Sequence, residues 1–345
     1  MNVPHRLATR TIAILAAAGI ATGLTCGVAS ASTLPAAPAP TASGVSFPIG
    51  TSVAAISVSP DGRQAYLVSA TTNSVRILDL QTRTIVASVP VGREPDNVSF
   101  DASGTFAYVC NLGDDTVSVI DTATQQVVRT LPVAPEAGVG ELAVQTTPTG
   151  DMLYIDGTKS GRLYQVDTST GVVESVAVTS EPTTALLVGD DVVVADFSSD
   201  AVDVVDTATM TVTKTAHRPD QGWTINGAVL PGATTVTLGG PAGTAWFDAA
   251  TGTFLGGAAG TAPGNPMGTA TGTDGADTYA LYGSFPDGKP QPGVIQVLNN
   301  TTHTDVTTIP VPQQSWHLAA APGEILITHG NPNANNDTLQ FIPEP

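Results

Sequence analysis

Between residues 97 and 133 the chain passes four times through a short β-rich run and out again through a turn. NVSFDA alternates apolar and polar positions, FAYVCN is a continuous apolar run, TVSVID alternates again, and QQVVRTLPV closes the unit. A period of two over four to eight residues predicts strands packed on one face, and an unbroken apolar run of that length predicts a strand buried on both. The runs are separated by Ala102-Ser103-Gly104, Leu112-Gly113-Asp114-Asp115 and Asp121-Thr122-Ala123-Thr124, each with turn chemistry. The pattern therefore predicts four antiparallel strands joined by tight hairpins.

The same phrase stands forty-two residues earlier. QAYLVSATTNSVRILDL at 64–80 aligns with FAYVCNLGDDTVSVIDT at 106–122, matching Ala65/Ala107, Tyr66/Tyr108, Val75/Val117 and Asp79/Asp121. It recurs with drift at 152–170, 191–209 and 234–252, where Asp167, Asp206 and Asp248 each follow the start of the preceding apolar run, at Tyr154, Val193 and Thr235, by the same interval. A supersecondary unit repeated at about this period signals a solenoid or propeller array, and four antiparallel strands per unit select the propeller. At 278–300 Asn299 replaces the aspartate, and seven extra residues enlarge the SFPDGKPQPG hairpin. The last copy, EILITHGNPNANNDTLQFIPEP, stops after a third strand, while GVSFPIG at 44–50 resembles the outer-strand ending SVPVG at 88–92. The expectation is an all-β, seven-bladed β-propeller of four-stranded antiparallel blades, the last blade closed by the N-terminal strand. The divergent stretch 220–312 also admits six or eight blades.

The recurrent aspartates invite a catalytic reading, which the repetition argues against. An aspartate at a strand end followed by threonine accepts backbone N–H groups two residues on and so closes a turn. Asp79, Asp121, Asp167 and Asp206 occupy that place in blade after blade, so they are read as scaffold.

The first 31 residues are of another kind. His5, Arg6 and Arg10 precede the apolar run TIAILAAAGIATGL, which ends at Ala29-Ser30-Ala31. This is the pattern of a cleaved signal peptide over 1–31. Residues 32–43, rich in Pro, Ala, Ser and Thr, form a linker expected to be disordered, and 44–345 a single propeller domain. The expected location is outside the cell or on its surface. Without the leader, 10 basic residues face 30 acidic ones, a net charge near −20, which repels nucleic-acid phosphates and anionic membranes. Neither nucleic-acid binding nor membrane insertion of the mature chain is expected, and a monomer is. Cys26 leaves with the leader, so Cys110 has no disulfide partner within the chain.

The phrases AYVCN and TVSVIDTATQQVVRTLPV resemble the YVTN family of β-propeller repeats, closely over residues 51–134, moderately to 219 and weakly beyond. The resemblance implies a secreted or surface-exposed propeller. Its relatives include surface-layer proteins, periplasmic binding proteins and lactonases, so the fold does not select a function.

What differs between repeats is the connection from each outer strand to the next inner strand, and these connections gather at one mouth of the central channel. They supply the candidate ligand-binding residues Arg93, Glu94, Asp96, Asn97, Glu136, Glu181, Asp220, Trp223, Asn265, Gln314, Trp316 and His317, with Thr51, Ser52, Glu141, Asn226 and Met267 nearby. Aromatic faces beside carboxylates and amides suit a sugar, a peptide or a cation. No H-E-x-x-H, C-x-x-C, G-x-S-x-G or phosphate-loop motif is present, so no catalytic residue, metal ligand or cofactor is assigned, and a divalent cation in the mouth has no motif behind it. Two readings follow. One is a non-catalytic module binding a small molecule, sugar or protein. The other is a lactonase-like or lyase-like enzyme using mouth carboxylates and His317.

Overall fold

The computed structural model describes residues 46–260, 265–284, 291–330 and 337–345. The expected signal peptide and linker, and the centre of the enlarged 284–293 hairpin, lie outside the described residues. Seven four-stranded antiparallel sheets follow one another along the chain. The second repeat folds as the sequence pattern predicts, with strands Pro95–Phe100, Phe106–Asn111, Thr116–Asp121 and Gln126–Pro132. In every blade the first strand is innermost. Ala55–Val58 of the first blade touches Pro95–Phe100 of the second and, across the junction of the chain ends, Ser315–Ala321 of the seventh. The count is seven, and the divergent stretch contributes two ordinary blades, with inner strands Asn226–Val229 and Asn265–Thr271.

Burial explains the strand patterns. The second strands read as apolar runs because both faces are covered; Tyr66, Leu67, Val68 and Ala107, Val109, Cys110 are essentially inaccessible. Each core layer lies between two blades, as where Tyr108, Cys110 and Val119 of the second blade meet Val139, Leu153 and Tyr164 of the third. Outer strands alternate exposed and half-buried positions. Five of them carry a bulge near their start, which leaves Val86, Val128, Thr213, Leu255 and Val306 unpaired. A bulge twists an edge strand and makes it a poor template for another chain.

The repeated aspartates close turns. Asp79 accepts the Thr82 N–H at 2.7 Å, Asp121 that of Thr124 at 2.8 Å, and Asp206 that of Thr209 at 2.8 Å, each with the threonine hydroxyl as well. Asn299 takes the same place with Thr302. These donors favour the ionised form, and Asp167, bonded first by the Ser169 hydroxyl, is pulled down to about 2. Every donor is spent within its own turn, as a scaffold role requires.

The N-terminal strand closes the ring. Ser46–Pro48 pairs antiparallel with Thr338–Pro343, Phe47 opposite Leu339. Asp337, fully buried, grips the following segment: its carbonyl accepts from Ile49 N–H at 2.8 Å, its N–H donates to the Thr51 carbonyl at 3.1 Å, and its carboxylate accepts from Val53 N–H at 2.9 Å. Arg76 donates to the Ile49 carbonyl at 2.5 Å. Arg83 pairs with Glu324 at 2.6 Å and lies 4.4 Å over the Phe341 ring, joining the first blade to the last.

Candidate functional site

Four antiparallel strands per blade bring two sets of loops to the same face: the connections between blades and the hairpins between second and third strands. The two sets are laced together. Leu112 N–H donates to the Glu94 carbonyl, Thr158 to Gly138, Phe197 to Glu181 and Gly330 to Gln314, at 2.9–3.1 Å. The tie fixes the entry of each inner strand, and there the backbone departs from regularity. Glu94 and Gln314, the residues just before the inner strands of blades two and seven, have φ of 48° and 58°, and Glu136 and Gln221 lie in the same left-handed region. Side chains other than glycine adopt it at a cost of about 1 kcal/mol each.

After Glu94, Glu136 and Gln314 the inner strand bulges, as does that of blade six, whereas the strand after Gln221 is regular. The register skips one residue at Asp96, at Met267 and at Trp316, and loses step across Gly140-Glu141. A bulge re-aims a side chain without breaking the sheet. The positions that differ between repeats in sequence are thus the positions where the backbone is locally special.

The structure distributes the candidate residues over three sectors. Arg93, Glu94 and Glu136 line one open cleft with Asp115 and Lys159. Arg93 is engaged there, its Nε 2.6 Å from Asp114, whereas Glu94 and Glu136 turn their carboxylates to solvent. Asp96 and Asn97 lie deeper, with Asn97 opposite Cys110. Burial, and then the charges of Asp156, Asp96 and Glu141, push the Cys110 thiol far up, so it is an inert core residue.

The second sector spans blades four and five. Trp223, partly exposed, meets Phe197 with ring centroids 4.9 Å apart and planes at 52°. Glu181 is exposed, and its N–H is held by Asp196 at 2.8 Å. Asp220 is not available to a ligand as a free carboxylate. It accepts both forks of Arg218, at 2.8 and 3.1 Å, and the Gly222 N–H, and its pKa is lowered chiefly by the Arg218 bonds.

The third sector belongs to blade seven. Gln314 precedes the inner strand, and the Trp316 indole donates to the Gly330 carbonyl at 2.9 Å. His317 is half-buried opposite Thr328 and bonds the Val53 backbone. Burial pushes its imidazole down to about 4, with the Val53 bond opposing. Asn265 opens the inner strand of blade six, paired with Gly283. Among the described residues no group of three or more His, Cys, Asp or Glu side chains is arranged to hold a metal ion.

The His317 shift has a consequence for stability. A histidine whose folded pKa lies below its unfolded value of 6.5 takes up its proton more readily when unfolded. Its contribution is full above pH 6.5 and is lost as pH falls towards 4. Discounted for partial exposure, the loss should be about 1–2 kcal/mol between pH 7 and 4.5. Urea titrations at the two pH values should show this component in the parent protein and its absence in His317→Gln.

Sequence reasoning missed Phe197, Lys159, Asp196 and Arg218. The first three sit in hairpins between second and third strands, which read as turns. The signal was topological: those hairpins end on the same face as the connections between blades.

Fold and site together define a seven-bladed propeller with an irregular, polar and aromatic mouth. Residues 20–131 match the family described as "Lactonase, 7-bladed beta-propeller", so about a third of the chain resembles lactonase-type propellers. Among solved structures, Kuenenia stuttgartiensis hydrazine synthase is similar in fold, with a TM-score of 0.68 at 18% identity over 85% of this chain and 96% of that one. No curated protein matches.

Proposed function

We propose that this chain is a secreted propeller that binds a polar ligand or a protein partner through the connections at its channel mouth and performs no chemistry of its own. The observation that carries the reading is the contrast between the two faces. On one, the turns after the third strands repeat a single self-satisfied motif. On the other, the entries to the inner strands carry left-handed Glu94 and Gln314, bulged Asp96 and Trp316, and the Phe197–Trp223 pair. Irregular backbone on a rigid scaffold is where binding groups concentrate.

The match of residues 20–131 favours one alternative, hydrolysis of a lactone. In that reading His317, neutral above about pH 4, is the base and the mouth carboxylates position the substrate.

A thermal-shift screen with sugars, peptides, lactones and divalent cations tests the mouth. A ligand at 100 times its Kd adds about 2.7 kcal/mol, a shift of several degrees. The shift should shrink in Glu94→Ala, Trp223→Ala or Trp316→Ala; one unchanged in all three would remove the mouth as the site. Sustained proton release from a lactone, measured by pH-stat and lost in His317→Gln, would place the hydrolytic reading first.

A further inference from the structure

The Phe197–Trp223 pair is held more firmly than a solvated loop requires. The connection that carries Trp223 is anchored by Arg218, whose guanidinium is inaccessible. It donates to the Leu238 carbonyl at 2.9 Å, to the Gly243 carbonyl at 3.3 Å, to the Thr224 hydroxyl at 3.3 Å and by two bonds to Asp220. Thr224 N–H in turn donates to the Asp196 carbonyl at 2.8 Å, tying the connection to the hairpin that carries Phe197. Gly240 is needed beneath them, since a Cβ there would run into the Trp223 carbonyl and the Arg218 guanidinium. Burying a guanidinium is costly unless every donor finds a partner. What this network fixes is the position of two partly exposed aromatic rings.

The neighbouring groups select the ligand. Asp196 is used by the N–H groups of Glu181, Ser198 and Ser199, Asp200 by His217 at 2.9 Å, and Asp220 by Arg218. Of these described carboxylates that of Glu181 is exposed and belongs to no ion pair, whereas a cage for an organic cation draws on several uncompensated negative charges around its ring faces. The hydroxyls of Ser180 and Ser198 lie 3.0 Å apart and donate to Asp196 at 3.4 and 2.8 Å, so what they offer a ligand is their acceptor lone pairs. An aromatic pair with hydroxyls and one exposed carboxylate on the adjoining residues Ser180, Glu181 and Ser198 suits a ring with an apolar face and an equatorial belt of OH groups. The net charge of −18 disfavours an acidic sugar.

We propose that the Phe197–Trp223 platform is the stacking subsite for one ring of a neutral saccharide. The inference rests on the mouth-binding reading and narrows it to blades four and five. Indole N–H signals in two-dimensional NMR test it, with the three tryptophans assigned by Trp→Phe variants. The probes are cellopentaose, chitopentaose, xylopentaose and maltopentaose, with tetramethylammonium chloride as the competing chemistry. At least one saccharide should move the Trp223 signal while that of Trp246, buried against Asn300, stays in place. Phe197→Ala should weaken that saccharide at least tenfold with the Trp246 signal unchanged, which shows the fold to be intact. A saccharide that moves Trp316 alone overturns this subsite and leaves mouth binding standing. No movement at Trp223 with any saccharide overturns the sugar subsite, while the mouth-binding reading falls only if the thermal-shift response is unchanged in the Glu94, Trp223 and Trp316 variants. Movement of Trp223 by tetramethylammonium at lower concentration than by any saccharide overturns the sugar assignment.

Discussion

Replacing Arg218 by leucine should lower the unfolding free energy by about 2–4 kcal/mol, the cost of taking a donor from two buried carbonyls and of breaking a partly exposed ion pair. The loss has identifiable parts. The Leu238 and Gly243 carbonyls lose their partners inside the protein, and Asp220 loses the guanidinium that neutralises it. Lysine should recover little, because a single ammonium cannot reproduce the planar fork that serves Asp220 and two carbonyls together. Chemical denaturation of the parent, Arg218→Leu and Arg218→Lys measures the effect. A loss below about 1 kcal/mol for leucine would show that the loop is held by other contacts. The same variants should free Trp223, seen as increased quenching of its fluorescence by acrylamide, while Trp246 stays protected.

Deleting residues 44–50 should have a comparable or larger effect. The ring loses the strand that pairs with Thr338–Pro343, the buried Ile49 side chain and the half-buried Phe47 ring. Asp337 also loses a backbone bond from the deleted segment. Burial of two large apolar side chains and the broken bonds together amount to about 5 kcal/mol. For a domain of this size that corresponds to a fall of about 10 °C in Tm, read by calorimetry. Ile49→Ala, which keeps the backbone pairing, should fall between the parent and the deletion. A deletion that melts at the parent temperature would mean that the ring is not held by this strand.

The fold was legible because its determinants are local. Period-two alternation, turn residues and the fixed interval from Tyr66 to Asp79, repeated from Tyr108 to Asp121, describe a blade without reference to any distant residue. Ring closure was legible for the same reason, as an outer-strand phrase standing alone near the start of the domain. The candidate site was only half legible. The connections that carry Glu94, Trp223 and Trp316 could be collected by topology, but their energetics depend on partners far along the chain. Arg218 gives no hint in sequence that Leu238 and Gly243 bury it, and Asp220 none that its charge is spent. Phe197 was hidden in a hairpin, and its meeting with Trp223, 26 residues on, is a product of blade packing.

On the proposed reading a ligand sits on the irregular face and leaves the repeated turns untouched. Hydrogen exchange read by mass spectrometry tests it directly, with the compound from the thermal screen that gives the largest shift. Binding should slow exchange in segments 91–97, 218–226 and 313–317 and leave the turns at 79–83, 121–125 and 206–210 unchanged. Protection confined to those turns, or spread evenly over the blades with none added at the mouth, would contradict the account.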